Sequence, residues 1–276
     1  MRARVLARAA ILAGALAAAC EAPQPAIQYA PYGEGYATKP DFAKVERLYL
    51  LTPAQRAGVT PQSLVGLTQE QFDQVYSRLT AGPFPDGPYQ GTVVLAEGGG
   101  LRRLPAILGG SKGFASKLGV DGLETVAQIL WKGKVFDRDH REVRNVVEHP
   151  GVLAKLLGVD LSGMRSGPFF GSTVGLLFPA KVYCGQSLLD SRRESLILDA
   201  AFGDEIDGYL PAVDALAGRD GLQIRDELRM MRPGLYLGRA YGARIFLLDF
   251  ILYNPEVAAR EKAAFARTGA VEESCG

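Results

Sequence analysis

The sequence contains few of the residues that most often carry chemistry in proteins. Of its 276 residues, two are histidines, three are cysteines and one is a tryptophan. A zinc-type site needs several thiolate or imidazole ligands, so we expect no metal site. His140 and His149 lie in polar or loop-like segments and are interpreted as solvated rather than catalytic residues. The run 97–100 lacks the lysine of a phosphate-binding loop, and we expect no cofactor.

The chain also lacks an excess of charge of either sign. It has 31 lysines and arginines against 30 aspartates and glutamates, a formal net charge of +1. Nucleic-acid-binding proteins carry a basic patch or stripe, and no such run is present, so we expect no nucleic-acid partner. After the first twenty residues no apolar run is long enough to span a bilayer.

The first twenty residues have the order of an export signal. Arginines within residues 1–8 precede an apolar run over 9–19, and Cys20 follows. This pattern predicts a bacterial lipoprotein, lipidated at Cys20, that faces the periplasm from the outer or inner membrane. Ala17 stands where such signals usually have leucine, so simple secretion or an uncleaved anchor stay open. Removing the signal takes away three arginines and no acid, which changes the formal charge from +1 to −2.

The region after the signal divides by composition. Residues 42–82 have a helical pattern, in which Thr68 and Gln71 form a capping box. One apolar stripe of this region contains Phe72, Val75, Tyr76 and Leu79. The predicted organisation is a signal peptide over 1–20, a flexible tether over 21–41, a helical preface over 42–82, a strand-rich domain over 83–255, and a C-terminal helix and tail over 256–276.

The strand-rich domain consists of short apolar runs separated by Gly, Pro and Asp. These runs are 91–95, 135–136, 169–177, 180–183, 195–202, 222–229, 235–241 and 245–253. A helix over 113–130 and either a helical insertion or a loop over 145–166 interrupt them. Because the last three runs are joined by short connections, 230–234 and 242–244, we predict an α+β fold with an antiparallel β-barrel. Such a barrel either fills with side chains or holds a small apolar ligand.

Two motifs resemble a known family. They are Gly87-Pro88-Tyr89-Gln90-Gly91 and Trp131-Lys132-Gly133-Lys134-Val135-Phe136, followed later by Asp226 with Arg229 and by Leu237 with Gly238. Together they resemble the bacterial GXWXG family of small, largely uncharacterised proteins, with Tyr89 where that family has tryptophan. The resemblance implies a calycin-like barrel, similar to lipocalins and fatty-acid-binding proteins, and a hydrophobic ligand. We include Trp131 and Lys134 among the candidate ligand-binding residues.

The aromatic residues of these motifs also have a physical interpretation. The glycines beside Tyr89 let the chain turn where a barrel closes, and the ring of Tyr89 closes its end. Trp131 and Phe136 are then expected to cover the same layer. That these rings are ordinary core aromatics stays open.

Charged residues inside apolar strands are the other candidates. Asp249 lies in a run that is apolar on both faces, and Asp199 ends a similar run. A buried carboxylate needs a partner, which Arg225, Arg229 or Arg239 could supply. Such pairs would either orient the polar head of a ligand or form a structural network. The ligand-binding candidates from this argument are Tyr183, Asp199, Asp226, Arg229, Arg239 and Asp249.

Three functions are compatible with these features. The preferred one is an exported lipoprotein that binds or carries a hydrophobic, lipid-like molecule and reaches the membrane through its N-terminal lipid. An envelope enzyme would instead use Asp226, Asp199 or Asp249 with an arginine and a tyrosine on an apolar substrate. A structural lipoprotein would dock through the helical preface. Cys184 and Cys275 either pair as a disulfide, or are a buried apolar residue and a frayed end.

Overall fold

Among the residues that the structure describes, nine antiparallel strands form one sheet, and eight of them close into a barrel. The computed structural model describes residues 26–31, 41–94, 131–270 and 275. The strands are β1 (Gly87–Val94), β2 (Trp131–Asp137), β3 (Glu142–Val147), β4 (Arg165–Phe169), β5 (Ser172–Gln186), β6 (Glu194–Asp199), β7 (Ile224–Arg232), β8 (Leu235–Gly242) and β9 (Ile245–Tyr253). The ring order is β3-β2-β1-β9-β8-β7-β6-β5, closed by pairing of β3 with β5, and β4 lies beside β5 outside it. The predicted antiparallel barrel is confirmed.

The last three strands form a meander, as their short connections indicated. Residues 233–234 join β7 to β8, and residues 243–244 join β8 to β9. Ala243 and Arg244 both have positive φ, at 46° and 71°, as a two-residue hairpin of the favoured hand requires. β7 continues to Arg232, so the first connection is shorter than the sequence indicated.

Three sequence-based boundaries are corrected by the structure. The run 169–177 is two strands, because Phe170 and Gly171 adopt positive φ and turn the chain between β4 and β5. The run 195–202 ends at Asp199, whose side chain accepts the Ala201 N–H (2.9 Å) and begins a 3₁₀ helix. Strand β3 was not predicted, and its second half falls in the segment interpreted as an insertion or loop.

Helices surround the barrel. They are α1 (Phe42–Leu48), α2 (Pro53–Gly58), α3 (Pro61–Val65), α4 (Gln69–Ser77), α5 (Pro150–Leu157), a 3₁₀ helix (Ala200–Glu205), α6 (Pro211–Asp214) and α7 (Pro255–Thr268). Capping boxes at Thr52, Thr60 and Thr68 begin α2, α3 and α4. The apolar stripe of α4 is buried against outward-facing residues of β7, β8 and β9.

The directions of the strands define two ends of the barrel. At one end, called here the long-connection end, β3 is joined to β4 through 148–164, and β6 is joined to β7 through 200–223. β1 also ends and β2 begins at this end. At the opposite, short-turn end, residues 138–141, 187–193 and 233–234 make the connections. The two ends therefore differ in how much chain is available to form a binding site.

Several predictions lie outside the described residues. They are the signal, the lipidation site Cys20, most of the tether, the helix over 113–130 and the glycine run at 97–100. In the part of the chain that is described, no helix has the length and apolar character needed to cross a membrane.

Candidate ligand-binding site in the barrel

Strand alternation separates the eight candidate ligand-binding residues into two groups. Trp131, Lys134 and Asp226 lie on the lumen side, whereas Tyr183, Asp199, Arg229, Arg239 and Asp249 lie on the outer face. The sequence could not assign the faces of β8. The structure directs Tyr236, Gly238 and Ala240 into the lumen, where Gly238 leaves space for the ring of Phe250.

An ion pair crosses the lumen. Lys134 on β2 and Asp226 on β7 lie four strands apart in a ring of eight, so they approach from opposite walls. The Lys134 Nζ is 2.8 Å from the Asp226 Oδ2, and the two side chains are only 4% and 9% exposed. Because each charge is almost fully desolvated, each requires the other.

Asn145 connects this pair to the tryptophan. Its Oδ1 accepts hydrogen bonds from Lys134 Nζ (2.7 Å) and Trp131 Nε1 (2.9 Å), and its Nδ2 donates to the Phe178 carbonyl (3.1 Å). The Lys134 ammonium also lies 5.6 Å from the ring centroid of Phe250, a cation–π distance. Sequence reasoning missed Asn145 because it missed β3. The valines at 143, 146 and 147 were the available signal for a strand there.

The two motifs behind the family resemblance are adjacent strands. β1 and β2 pair antiparallel, with Tyr89 opposite Lys134. A Cβ at Gly91 would overlap the Trp131 ring, and one at Gly133, whose φ is 144°, would overlap the Tyr89 carbonyl. These glycines therefore permit the close approach of the two strands and place the indole against the barrel wall.

The lumen differs between its two ends. Near the short-turn end, the buried Tyr89 ring packs edge-to-face on Phe136 (5.6 Å) and Tyr236 (5.7 Å). Trp131 is near the other end and packs on Phe250 (5.5 Å), so the expectation that Trp131 and Phe136 cover one layer is wrong. The apolar residues at the long-connection end are partly exposed: Trp131, Phe178, Leu222, Ile224 and Leu248. Partly exposed apolar side chains therefore lie on the long-connection side of the ion pair.

A second charged cluster lies outside the barrel, beneath α4. Arg239 on β8 pairs with Asp73 of α4 and with Asp249 of β9 (3.1 Å), and its Nε donates to the Tyr241 hydroxyl (3.1 Å). Gln69 of α4 donates to Asp249. Burial, assisted by the negative charge of Asp73, raises the pKa of Asp249 to about 7, although Arg239 opposes the shift. The cluster is 1–2% exposed at its ionised side chains and joins α4 to the sheet.

The remaining outer-face candidates have structural partners as well. Arg229 donates to Ser195 Oγ (3.0 Å) and to the carbonyls of Tyr76 (3.2 Å) and Arg193 (2.7 Å). The Tyr183 hydroxyl donates to Asp199 Oδ2 (2.7 Å), and burial raises the pKa of Tyr183 to about 12. None of these groups reaches the lumen.

The expectation that these five candidates face the inside of the barrel is therefore wrong. A strand alternates between two faces, and the face that α4 covers is as apolar in sequence as the lumen face. For Tyr183, Asp199, Arg229, Arg239 and Asp249, the geometry favours the structural network that the sequence left open. One aspartate, arginine and tyrosine combination compatible with the enzyme hypothesis, Asp249 with Arg239 and Tyr241, lies beneath α4 and not in the lumen.

Cys184 and Cys275 are joined as a disulfide, with Cα atoms 5.8 Å apart. Cys275 is fully buried in the apolar cluster on the lumen side of the strands, so the bond attaches this part of the C-terminal tail to the barrel interior. Among the described residues, these two cysteines and Glu194 are the group whose atoms lie close enough to hold a metal. Disulfide pairing leaves no thiolate there to bind an ion.

The Cys275→Ser variant is expected to lower the free energy of unfolding by about 2–4 kcal/mol, since the bond closes a long loop. The measurement is urea denaturation with and without a dithiol reductant. Reduction should destabilise the wild-type protein by the same amount and leave the variant unchanged. Equal stability of the two proteins under oxidising conditions would contradict the pairing.

Comparisons of the chain with family models, with curated proteins and with solved structures found no match. The site must therefore be interpreted from its own geometry.

Proposed function

We propose that this protein is an exported bacterial lipoprotein whose calycin-like barrel binds a hydrophobic, lipid-like molecule. The observation that carries the proposal is the change in the type and exposure of the side chains from one end of the lumen to the other. Partly exposed apolar side chains at the long-connection end lead to the desolvated Lys134–Asp226 pair, beyond which packed aromatic rings close the other end. Ligand sites are typically lined by apolar side chains with a few placed polar groups, and the side chains of this lumen have that composition. We place the entrance at the long-connection end.

The proposal includes the cellular location of the protein and its membrane anchor. Lipidation at Cys20 would hold the barrel at a membrane surface of the cell envelope, facing the periplasm, with residues 21–41 as the tether and residues 42–82 as the helical preface. A protein held beside a bilayer has direct access to lipid-like molecules. The support for this part is the order of residues in the first twenty positions.

The two other candidate functions have weaker support. The apolar stripe of α4 is covered by the barrel, with Phe72 and Val75 fully buried, so docking would have to use a different surface. Of the three aspartates considered for an enzyme, Asp226 is the one that faces the lumen, and it pairs with a lysine and not with an arginine.

Ligand binding can be measured through the protein's own fluorescence, because Trp131 is the single tryptophan and lies at the proposed entrance. Titrating the purified full chain with dodecanol is expected to change the Trp131 emission in a saturable way. Mass spectrometry of the organic extract should then recover the added alcohol unchanged, whereas an altered compound would support the enzyme.

Two matched variants locate the binding. Leu248→Arg places a charge at the entrance and should abolish the change in emission, whereas Val65→Arg, at an exposed site on α3, should preserve it. Both chains must retain the wild-type circular dichroism spectrum. A folded wild-type protein that takes up no apolar compound would rule out the proposal.

A further inference from the structure

We propose that the lumen selects uncharged amphiphiles carrying a hydroxyl group over fatty-acid anions and alkylammonium ions. This inference rests on the proposed function, since it specifies the ligand of the same site. It follows from the ion pair that already occupies the polar centre of the barrel.

The two opposite charges of the ion pair in the lumen already neutralise each other. Lys134 has its counter-ion in Asp226 at 2.8 Å, and both side chains are nearly excluded from solvent. A ligand carboxylate would bring a second negative charge beside Asp226, and a ligand ammonium a second positive charge beside Lys134. In either case one buried charge would lack a partner, which is strongly unfavourable in a poorly solvated interior.

The unused hydrogen-bonding capacity matches a hydroxyl group. Within the described residues, Lys134 Nζ donates one hydrogen bond, to Asn145 Oδ1 (2.7 Å), and its ion pair with Asp226 involves one of the two carboxylate oxygens. A hydroxyl can accept from a remaining N–H of Lys134 and donate to the second oxygen of Asp226. A carboxylate has no proton to donate, and an ammonium cannot accept.

Apolar side chains that could contact the alkyl chain of a ligand lie beside the ion pair. Ile224 precedes Asp226 by two positions on the same face of β7, and Trp131 precedes Lys134 along β2 toward the same end. Both are partly exposed and apolar. A chain attached to a hydroxyl at the ion pair would therefore extend toward the long-connection end.

The test compares ligands that share one alkyl chain and differ only in the head group. Dodecanol, dodecanoate and dodecylammonium compete at neutral pH with an apolar fluorescent probe bound to the full-length protein. We expect dodecanol to displace the probe at a concentration at least about tenfold lower than either ion.

Removing the negative charge of Asp226 should change which ligand head group the lumen prefers. Asp226→Asn leaves Lys134 without its counter-ion, so dodecanoate should become the tightest of the three by about tenfold or more. Asp199→Asn, the same substitution on the outer face, should keep the wild-type order. If Asp226→Asn does not fold, the order measured for the wild-type protein decides the question alone.

The outcomes separate the two proposals. If the probe binds but dodecanoate or dodecylammonium matches or exceeds dodecanol on the wild-type protein, the inference is overturned and lumen binding stands. If no apolar compound binds a folded protein, the proposed function itself fails.

Discussion

Replacing Lys134 by methionine is expected to lower the free energy of unfolding by about 3–5 kcal/mol, because Asp226 would remain as an unpaired charge inside the barrel. The measurement is urea denaturation at neutral pH, with the slope of the transition compared with that of the wild-type protein. We expect the midpoint to fall with little change of slope.

Two controls identify the mechanism. The double variant Lys134→Met with Asp226→Leu removes both charges together and should recover most of the lost stability, since buried ion pairs are often replaceable by apolar residues. Lys132→Met, two residues away on the same strand, removes a solvent-exposed pair with Glu148 and should cost less than about 1 kcal/mol. If Lys134→Met were as mild as Lys132→Met, the charge pair would not be desolvated as the structure shows.

The second large effect concerns the pH dependence of stability. The pKa of Asp249 is raised to about 7 in the folded state, from an ordinary value near 3.8. The folded state therefore binds more protons than the unfolded state between pH values of about 4 and 7, so stability falls as the pH rises through this window. The stabilising contribution is complete below a pH of about 4 and lost above about 7.

The Asp249→Asn variant should remove this part of the pH dependence. We expect the wild-type protein to lose a few kcal/mol relative to the variant between pH values of about 4 and 7. The groups that face Asp249 are Asp73 and Gln69 from α4 and Arg239 from β8, so the effect reports on contact between α4 and the barrel.

Urea denaturation at several pH values measures the effect. Asp220→Asn, at an exposed site, is the matched control and should keep the wild-type dependence on pH. Parallel stability curves for the wild-type protein and Asp249→Asn would show that the carboxyl does not titrate in this range.

The sequence predicted the architecture correctly where apolar runs of strand length and short connections indicated the same arrangement. Apolar runs of strand length without alternating helices predicted the antiparallel barrel, and the short connections predicted the β7–β8–β9 meander. The turn at Phe170 and Gly171 was missed because phenylalanine stands where such a two-residue hairpin usually has asparagine or aspartate. β3 was missed because its polar Arg144 and Asn145 interrupt the apolar pattern.

The candidate site was predicted in part. Trp131, Lys134 and Asp226 were named from the sequence, and the structure brings them together. The pairing of Lys134 with Asp226 was not predicted, because they are 92 positions apart and meet only when β2 and β7 become opposite walls. For Asp249, the arginine partner was foreseen, but the second carboxylate from Asp73 was not.

By itself the sequence determined that the last three apolar runs, 222–229, 235–241 and 245–253, form strands with two alternating faces, and that Asp249 needs a partner, because strand geometry and the cost of a buried charge are local properties. Only the tertiary structure decided which face encloses the lumen. Closure of the ring buries the lumen face of the strands, and α4 covers outward-facing residues of β7, β8 and β9. Apolar character therefore does not distinguish the inner face from the outer face. The ion pair in the lumen therefore depends on the strand topology, whereas the strands that carry it could be predicted from the local sequence pattern.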